Sequence, residues 1–291
     1  SMIDVFSTME FQLSLLLFTA LFGYVVASRL NQSAVIGEIL VGILIGPAVL
    51  GWISYTDFVK SVAQFGAIVL LFVVGLEFRP KDIMKRKYFV IALSGVIFPW
   101  LIGFGFAKLF GMNHGSAILI GTALTATSIA ITANVLKEMG KLKTDVAKAI
   151  IGAAVIDDVL SLLALSISAQ AIAGQISYVK IIVLVVEAIL FFLIGILLGD
   201  KLFKRVIQKI DTGRIGQKYP EFVLIFAMMI AFFYGLVAEI IGLSAIVGSF
   251  IAGVSIAGTE LKHSKSYKEG AEYIEVIFSA VFFISLGILA D

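Results

Sequence analysis

No cysteine occurs in the 291 residues, so disulfides, thiol ligands and thiol nucleophiles are excluded. Charge is scarce: Asp, Glu, Lys and Arg make up 14% of the chain, against about 25% in an ordinary soluble domain. The two histidines, His114 and His263, fall at expected loop positions, where solvation is the ordinary state. The sequence has no metal-ligand spacing, no phosphate-binding glycine loop and no nucleophile–base set, so nothing points to an enzyme, a resident cofactor or a nucleic-acid partner. Prolines number four beside 27 glycines, a balance that suits closely packed membrane helices rather than a loop-rich chain. What fills the sequence is hydrophobic residues, 60% of the total. The chain reads as an all-α integral membrane protein with the lipid bilayer as its solvent.

A spanning helix takes about 20 apolar residues. Ten candidate spans occur, at 11–28, 34–50, 61–76, 88–110, 115–136, 146–170, 178–199, 221–239, 243–257 and 272–289. The first lacks a basic flank before it and a small-residue cleavage site after it, so it is expected to be a retained helix rather than a signal peptide. Nineteen of the 22 basic residues fall on one side of this alternation, in stretches such as Arg79–Lys87, Lys137–Lys148 and Lys201–Lys218. Lys60, Lys108 and Lys180 fall on the other. Positive charge stays cytoplasmic, which predicts an external N-terminus and an external Asp291.

The sequence also repeats itself. Ser33-Ala34-Val35-Ile36-Gly37 returns 211 residues later as Ser244-Ala245-Ile246-Val247-Gly248, and the same offset pairs Gly42 with Gly253 and Leu71-Phe72 with Phe282-Phe283. Spans one to three thus match spans eight to ten. Seven spans separate them, an odd number, so the units are expected to cross the membrane in opposite directions, the inverted-topology arrangement of secondary transporters. The expected organisation is a first six-helix repeat at 2–170, a linking helix at 178–199 and an incomplete second repeat at 221–291. By the length of the first unit the chain is expected to continue for about 90 residues and three further helices.

Asp157-Asp158 is the central chemical feature. The pair lies near the middle of the 146–170 span, between Ala153-Ala154-Val155-Ile156 and Val159-Leu160. Acids at that depth are costly and usually face a polar cavity on a transport path. A carboxylate there can hold either a proton or a cation; a structural pair bonded to neighbouring helices is the alternative. The 115–136 span carries Thr122, Thr125, Thr127, Ser128 and Thr132. Hydroxyls compete for backbone carbonyls, so local unwinding is expected, exposing oxygen ligands for a small hard cation. Ordinary back-bonding within an intact helix is the alternative. Glu77 ends the third span and lines an inner funnel or is simply solvated. Glu187 lies inside the seventh span without an evident partner. Trp52 and Trp100 fit interfacial anchors, and Gly103 and Gly105 fit packing positions.

These residues resemble a known family. Ala126-Thr127-Ser128 followed by Gly152-Ala153-Ala154-Val155-Ile156-Asp157-Asp158 is similar to sodium/proton antiporters of the NapA kind, the double-aspartate subgroup of the monovalent cation:proton antiporter superfamily. So are Val35-Ile36-Gly37-Glu38, Gly46-Pro47 and Val74-Gly75-Leu76-Glu77. The resemblance implies a 13-helix fold, a homodimer in a prokaryotic plasma membrane, and broken helices crossing near mid-membrane. It implies that Asp158 carries sodium and protons alternately, that Asp157 pairs with a lysine of the second unit in electrogenic members, and that Thr127 and Ser128 belong to the broken helix. A potassium/proton efflux antiporter is the neighbouring alternative, and a cation channel or sensor without exchange is the alternative from another class.

Overall fold

The computed structural model describes residues 5–290, and among these every regular element is helical. In chain order they are α1 (Met9–Arg29), α2 (Ala34–Ile45), α3 (Asp57–Gly75), α4 (Pro80–Ile83), α5 (Arg86–Leu109), α6 (His114–Ala123), α7 (Ile129–Glu138) and α8 (Asp145–Ile172). They continue with α9 (Tyr178–Leu198), α10 (Lys204–Thr212), α11 (Arg214–Lys218), α12 (Glu221–Ile240), α13 (Ala245–Ile256) and α14 (Tyr267–Ile288). Polar side chains start most of them. The Thr8, Thr56, Ser128 and Thr144 hydroxyls each accept the backbone N–H three residues on, and Ser33 and Ser244 accept the one two residues on.

Among the described residues seven helices are long and apolar enough to cross a membrane, the longest running from Tyr178 to Thr212. The short apolar α2 and α13, with 12 residues each, extend about 18 Å, less than a bilayer's hydrocarbon core. α13 has almost every residue buried, so protein rather than lipid surrounds it. The fifth expected span, 115–136, is two half-helices, α6 and α7, separated by the non-helical stretch 124–128.

Residues 200–212, read from their basic side chains as loop, are helical. α9 passes through a π-helical turn at Gly199–Phe203 into α10. Asp200 accepts from Lys204 one turn on at 2.7 Å, and Ile207 is buried, so the segment is an amphipathic helix extension. Gly199 is required where the backbone nearly touches Ser255 of α13. Asp211 ends the extension: its buried carboxylate accepts the backbone N–H groups of Lys262, His263 and Ser264 at 2.6–3.0 Å.

Two groups of helices can be distinguished by what packs on what. In one, α1 packs on α2, α2 on α14, α14 on α3, α3 on α13 and α13 on α12. In the other, α5 packs on α6 and α8, and α6 and α7 pack on α8. The groups meet where α7 lies against α2 and α3, with α9 bridging α8 to α13. One apolar cluster spans the meeting, including Leu70 and Val74 of α3, Ile129 and Ala133 of α7, Ile151 and Val155 of α8, and Phe250 of α13.

Within the first group, contacts recur 211 residues apart. A Cβ on Gly37 would meet the carbonyl oxygen of Gly23 and the side chain of Ala27; on Gly248 it would meet the carbonyl oxygen of Tyr234 and the side chain of Ala238. Gly42 lies against Ile284 and Gly287, and Gly253 against Phe72 and Gly75. By these contacts Phe72 corresponds to Ile284 rather than to Phe283, so the pairing of the third helices is shifted by one residue from that read in the sequence. The turns correspond too: Asn31 (φ 53°) precedes α2 where Gly242 (φ 85°) precedes α13. Asparagine tolerates this left-handed conformation better than most side chains.

Candidate functional site

α8 presents Asp157 and Asp158 midway along its 28 residues, opposite the break between α6 and α7. Asp157 is buried, and the hydroxyls of Thr127, in the break, and Ser161, one turn further along α8, stand beside its carboxylate. The Ser161 hydroxyl donates to the carbonyl oxygen of Thr125 at 3.1 Å, so the serine beside the acid is anchored to the unwound backbone. The Thr125 hydroxyl turns inward onto the carbonyl of Thr122 at 2.7 Å, and Thr122 Oγ1 lies 2.7 Å from Ser168 Oγ. Hydroxyl and carbonyl groups thus run along the α6–α8 contact and lead to Asp157.

Asp158 is half-buried and differently equipped. The backbone N–H of Ser244, at the start of α13, faces its carboxylate, and its Oδ2 is buried without a hydrogen-bond partner. An unpaired carboxylate oxygen at this depth is expensive unless a proton or cation occupies it. The two carboxylates are near enough to repel one another when both are ionised. An acid flanked by hydroxyls therefore stands beside an acid with one free oxygen, in a setting that rewards neutralisation by a small cation or a proton.

The structure places Asp157 and Asp158 beside Thr127. Ser128 is used differently: its hydroxyl accepts the Ile131 N–H at 3.4 Å and caps α7. Thr132 back-bonds to the Ser128 carbonyl at 3.2 Å. Glu77 stands apart, paired with Lys143 at 3.1 Å, and lines a cavity of about 370 Å³ with Lys137, Lys143 and Glu272. Trp100 is no free interfacial anchor: its indole N–H donates to Thr122 at 3.2 Å, and its ring stacks on Phe104 and closes over Gly121. His114 begins α6 and meets Phe104 edge-on. Glu187 is half-buried on α9, at the edge of an apolar cavity lined by Phe191, Phe233 and Tyr234. Gly103 packs against Leu124 and Gly121, whereas Gly105 has open space beside it.

Sequence reading missed Ser161, Ser168 and Ser244. Ser161 lies four residues and Ser168 eleven residues after Asp157, on one helical face, a spacing that was there to be used. Ser244 was noticed for the repeat alone; its backbone contact with Asp158 leaves no mark in residue type.

A helical membrane bundle with a carboxylate pair served by the hydroxyls of a broken neighbouring helix belongs to the ion-coupled transporters, not the enzymes. Within that class the chain belongs to the family described as sodium/hydrogen exchanger, transmembrane, whose model matches residues 16–291. It is 34% identical over 265 residues to the probable Na(+)/H(+) antiporter GerT of Bacillus cereus, covering 90% of this chain and 68% of that protein. To the Na(+)/H(+)-K(+) antiporter GerN of Bacillus cereus it is 32% identical, over 95% of this chain and 70% of that one. To an Na(+)/H(+) antiporter of Enterococcus hirae it is 32% identical, over 96% of this chain and 72% of that one. The fold is shared with the sodium proton antiporter MjNhaP1 of Methanocaldococcus jannaschii, with a TM-score of 0.66 at 18% identity over 95% of this chain and 69% of that one.

Proposed function

We propose that this protein exchanges sodium, or lithium, for protons across a prokaryotic plasma membrane, with Asp158 as the shared carrier of cation and proton. The carrying observation is the buried, unpartnered Oδ2 of Asp158 beside a buried Asp157 that faces the hydroxyls of Thr127 and Ser161. Sodium at Asp158 takes that oxygen, with Thr127 and the free lone pair of Ser128 as neighbouring ligands from the break. A proton on the same carboxylate excludes the ion. The ionised, empty acid is costly inside the membrane, so the site crosses between faces only when neutralised. Competition for one site then yields exchange without a separate coupling device. Low pH fills the site with protons and slows cation loading; high pH leaves too few protons to return.

The moving part in this reading is the α5–α8 group, which shifts as a body against the α1–α3 and α12–α14 units, an inverted repeat forming the scaffold. The matched glycine contacts 211 residues apart support that division, as does the family's sequence likeness in the double-aspartate subgroup. Glu77, in its polar cavity, belongs to the cytoplasmic approach. The protein works as a homodimer with its N-terminus outside. Because GerN carries potassium in its name at 32% identity, potassium is a second candidate cation.

Flux in proteoliposomes with an imposed pH gradient tests the proposal. Sodium uptake that collapses the proton gradient is expected. Conductance without proton movement would mark a channel, and sodium binding without flux a sensor; either would refute exchange.

A further inference from the structure

The contact between the two helix groups is apolar along most of α7, where Ile129, Ala130 and Ala133 join the common core cluster. Apolar contact has no direction and lets surfaces slide. The far end of α7 is different. Glu275 of α14 is buried, with its side chain 3% exposed. Its Oε1 accepts from Ser279 on its own helix at 3.1 Å, and its Oε2 pairs across the seam with Lys137 of α7 at 2.5 Å. The neighbouring Glu138 repeats the pattern in reverse. Its Oε1 accepts from Asn134 on its own helix at 3.2 Å, and its Oε2 accepts from Ser33, the cap of α2, at 2.5 Å. Each glutamate is thus steadied by its own helix and presents the other oxygen to the opposite group. Glu38 of α2 is buried within electrostatic range of both glutamates, so three carboxylates crowd this end of the seam, and Lys137 pairs with one of them, Glu275.

We propose that Lys137–Glu275 and Ser33–Glu138 form a latch that positions α7 against α2 and α14 and must open in every transport cycle. The latch is distinct from the ion site and acts through α7. That helix has 10 residues, about 15 Å. Its N-terminal cap, Ser128, directly follows the Thr127 beside Asp157, so a force at Lys137–Glu138 reaches the break along a single rigid rod. Lys137, Glu138, Ser33 and Glu275 are positioning residues. This inference rests on the rigid-body exchange reading proposed above.

These 291 residues hold no cysteine, and any in the remainder of the full-length transporter is first replaced by serine. In the full-length transporter, the K137C/E275C and S33C/E138C pairs are each joined by a short, reducible bis-methanethiosulfonate cross-linker. Both pairs should cross-link efficiently. Transport by the linked protein should fall by about tenfold or more and return on reduction, as expected when a conformational step is blocked. Linked protein that transports at the rate of its reduced form, or a failure of both pairs to cross-link, would overturn the latch. If K137C/E275C is inactive even when reduced, the exchanged-charge variant K137E/E275K decides: transport above that of either single variant supports the pair, and none above them refutes it. Glu275→Gln should change maximal rate with little effect on the apparent cation KM, which a change at the ion site would move. Absence of sodium/proton exchange in the unmodified protein would refute the exchange reading itself, whatever the cross-linker does.

Discussion

The α1–α3 and α12–α14 units solve the same packing problem with the same glycines, yet their polar groups differ. Gly37 and Gly248 admit equivalent neighbours, and Gly42 and Gly253 each lie against the third helix of the opposite unit. Gly66 of α3 nearly touches the backbone of Phe278 on α14, so the third helices meet each other directly. By contrast, the start of α2 turns a serine hydroxyl toward Glu138, while the matching start of α13 turns a backbone N–H toward Asp158. α14 carries the buried Glu275, Ser279 and Ser285, whereas the buried stretch of α3 from Ala67 to Gly75 is wholly apolar. The shared features build a scaffold. Of the unshared ones, Ser33 and Glu275 face α7, and the Ser244 backbone faces α8, the helices of the proposed ion site.

The largest effect should come from the shared glycines. Gly66→Leu should abolish recovery of folded protein in detergent, because backbone occupies the space its side chain needs and overpacking costs about 3 kcal/mol or more. Gly37→Ala and Gly248→Ala should lower the thermal midpoint by similar amounts, whereas Gly105→Ala, with open space around it, should be neutral or slightly stabilising. Unequal penalties at Gly37 and Gly248 would break the equivalence of the units.

Ser161→Ala comes next. It removes the hydroxyl between Asp157 and the Thr125 carbonyl, worth about 1–2 kcal/mol. The apparent sodium KM in vesicles should rise by about tenfold, with folding retained. An unchanged KM would detach the break from the acid pair. Ser33→Ala and Ser244→Ala should each cost about 1 kcal/mol as lost caps. Ser33→Ala should also alter transport rate through Glu138, while Ser244→Ala, which keeps the N–H at Asp158, should not. The smallest effect belongs to the turns. Asn31→Gly should be nearly silent, and Gly242→Asn should cost no more than about 1 kcal/mol in unfolding measurements.

The parts legible in the sequence were those in which residue type contradicts its surroundings. Two adjacent aspartates in an apolar run, and five hydroxyls in the preceding span, violate the rules of a lipid-facing helix and so announce themselves. Trp100 and residues 200–212 were misread because an interfacial tryptophan and a cluster of lysines are typical of membrane edges. Only the tertiary contacts reveal that the indole binds Thr122 and that Ile207 is buried. Ser161 and Ser168 were silent because a serine in a membrane helix usually bonds its own backbone. Their meaning lies in the facing half-helix. The one-residue shift between Phe72 and Ile284 was invisible for a related reason: phenylalanine and isoleucine are interchangeable to a pattern, but backbone-to-glycine contacts are not.

The most direct test of the shared-site account is proton release on adding sodium to the purified full-length protein in weakly buffered detergent solution, compared with Asp158→Asn. The account predicts that sodium expels protons from the wild-type protein and that the release diminishes as protons compete at lower pH. It also predicts that folded Asp158→Asn neither releases protons nor exchanges sodium in vesicles. Wild-type proton release and flux from folded Asp158→Asn would contradict it and leave Asp158 a structural residue.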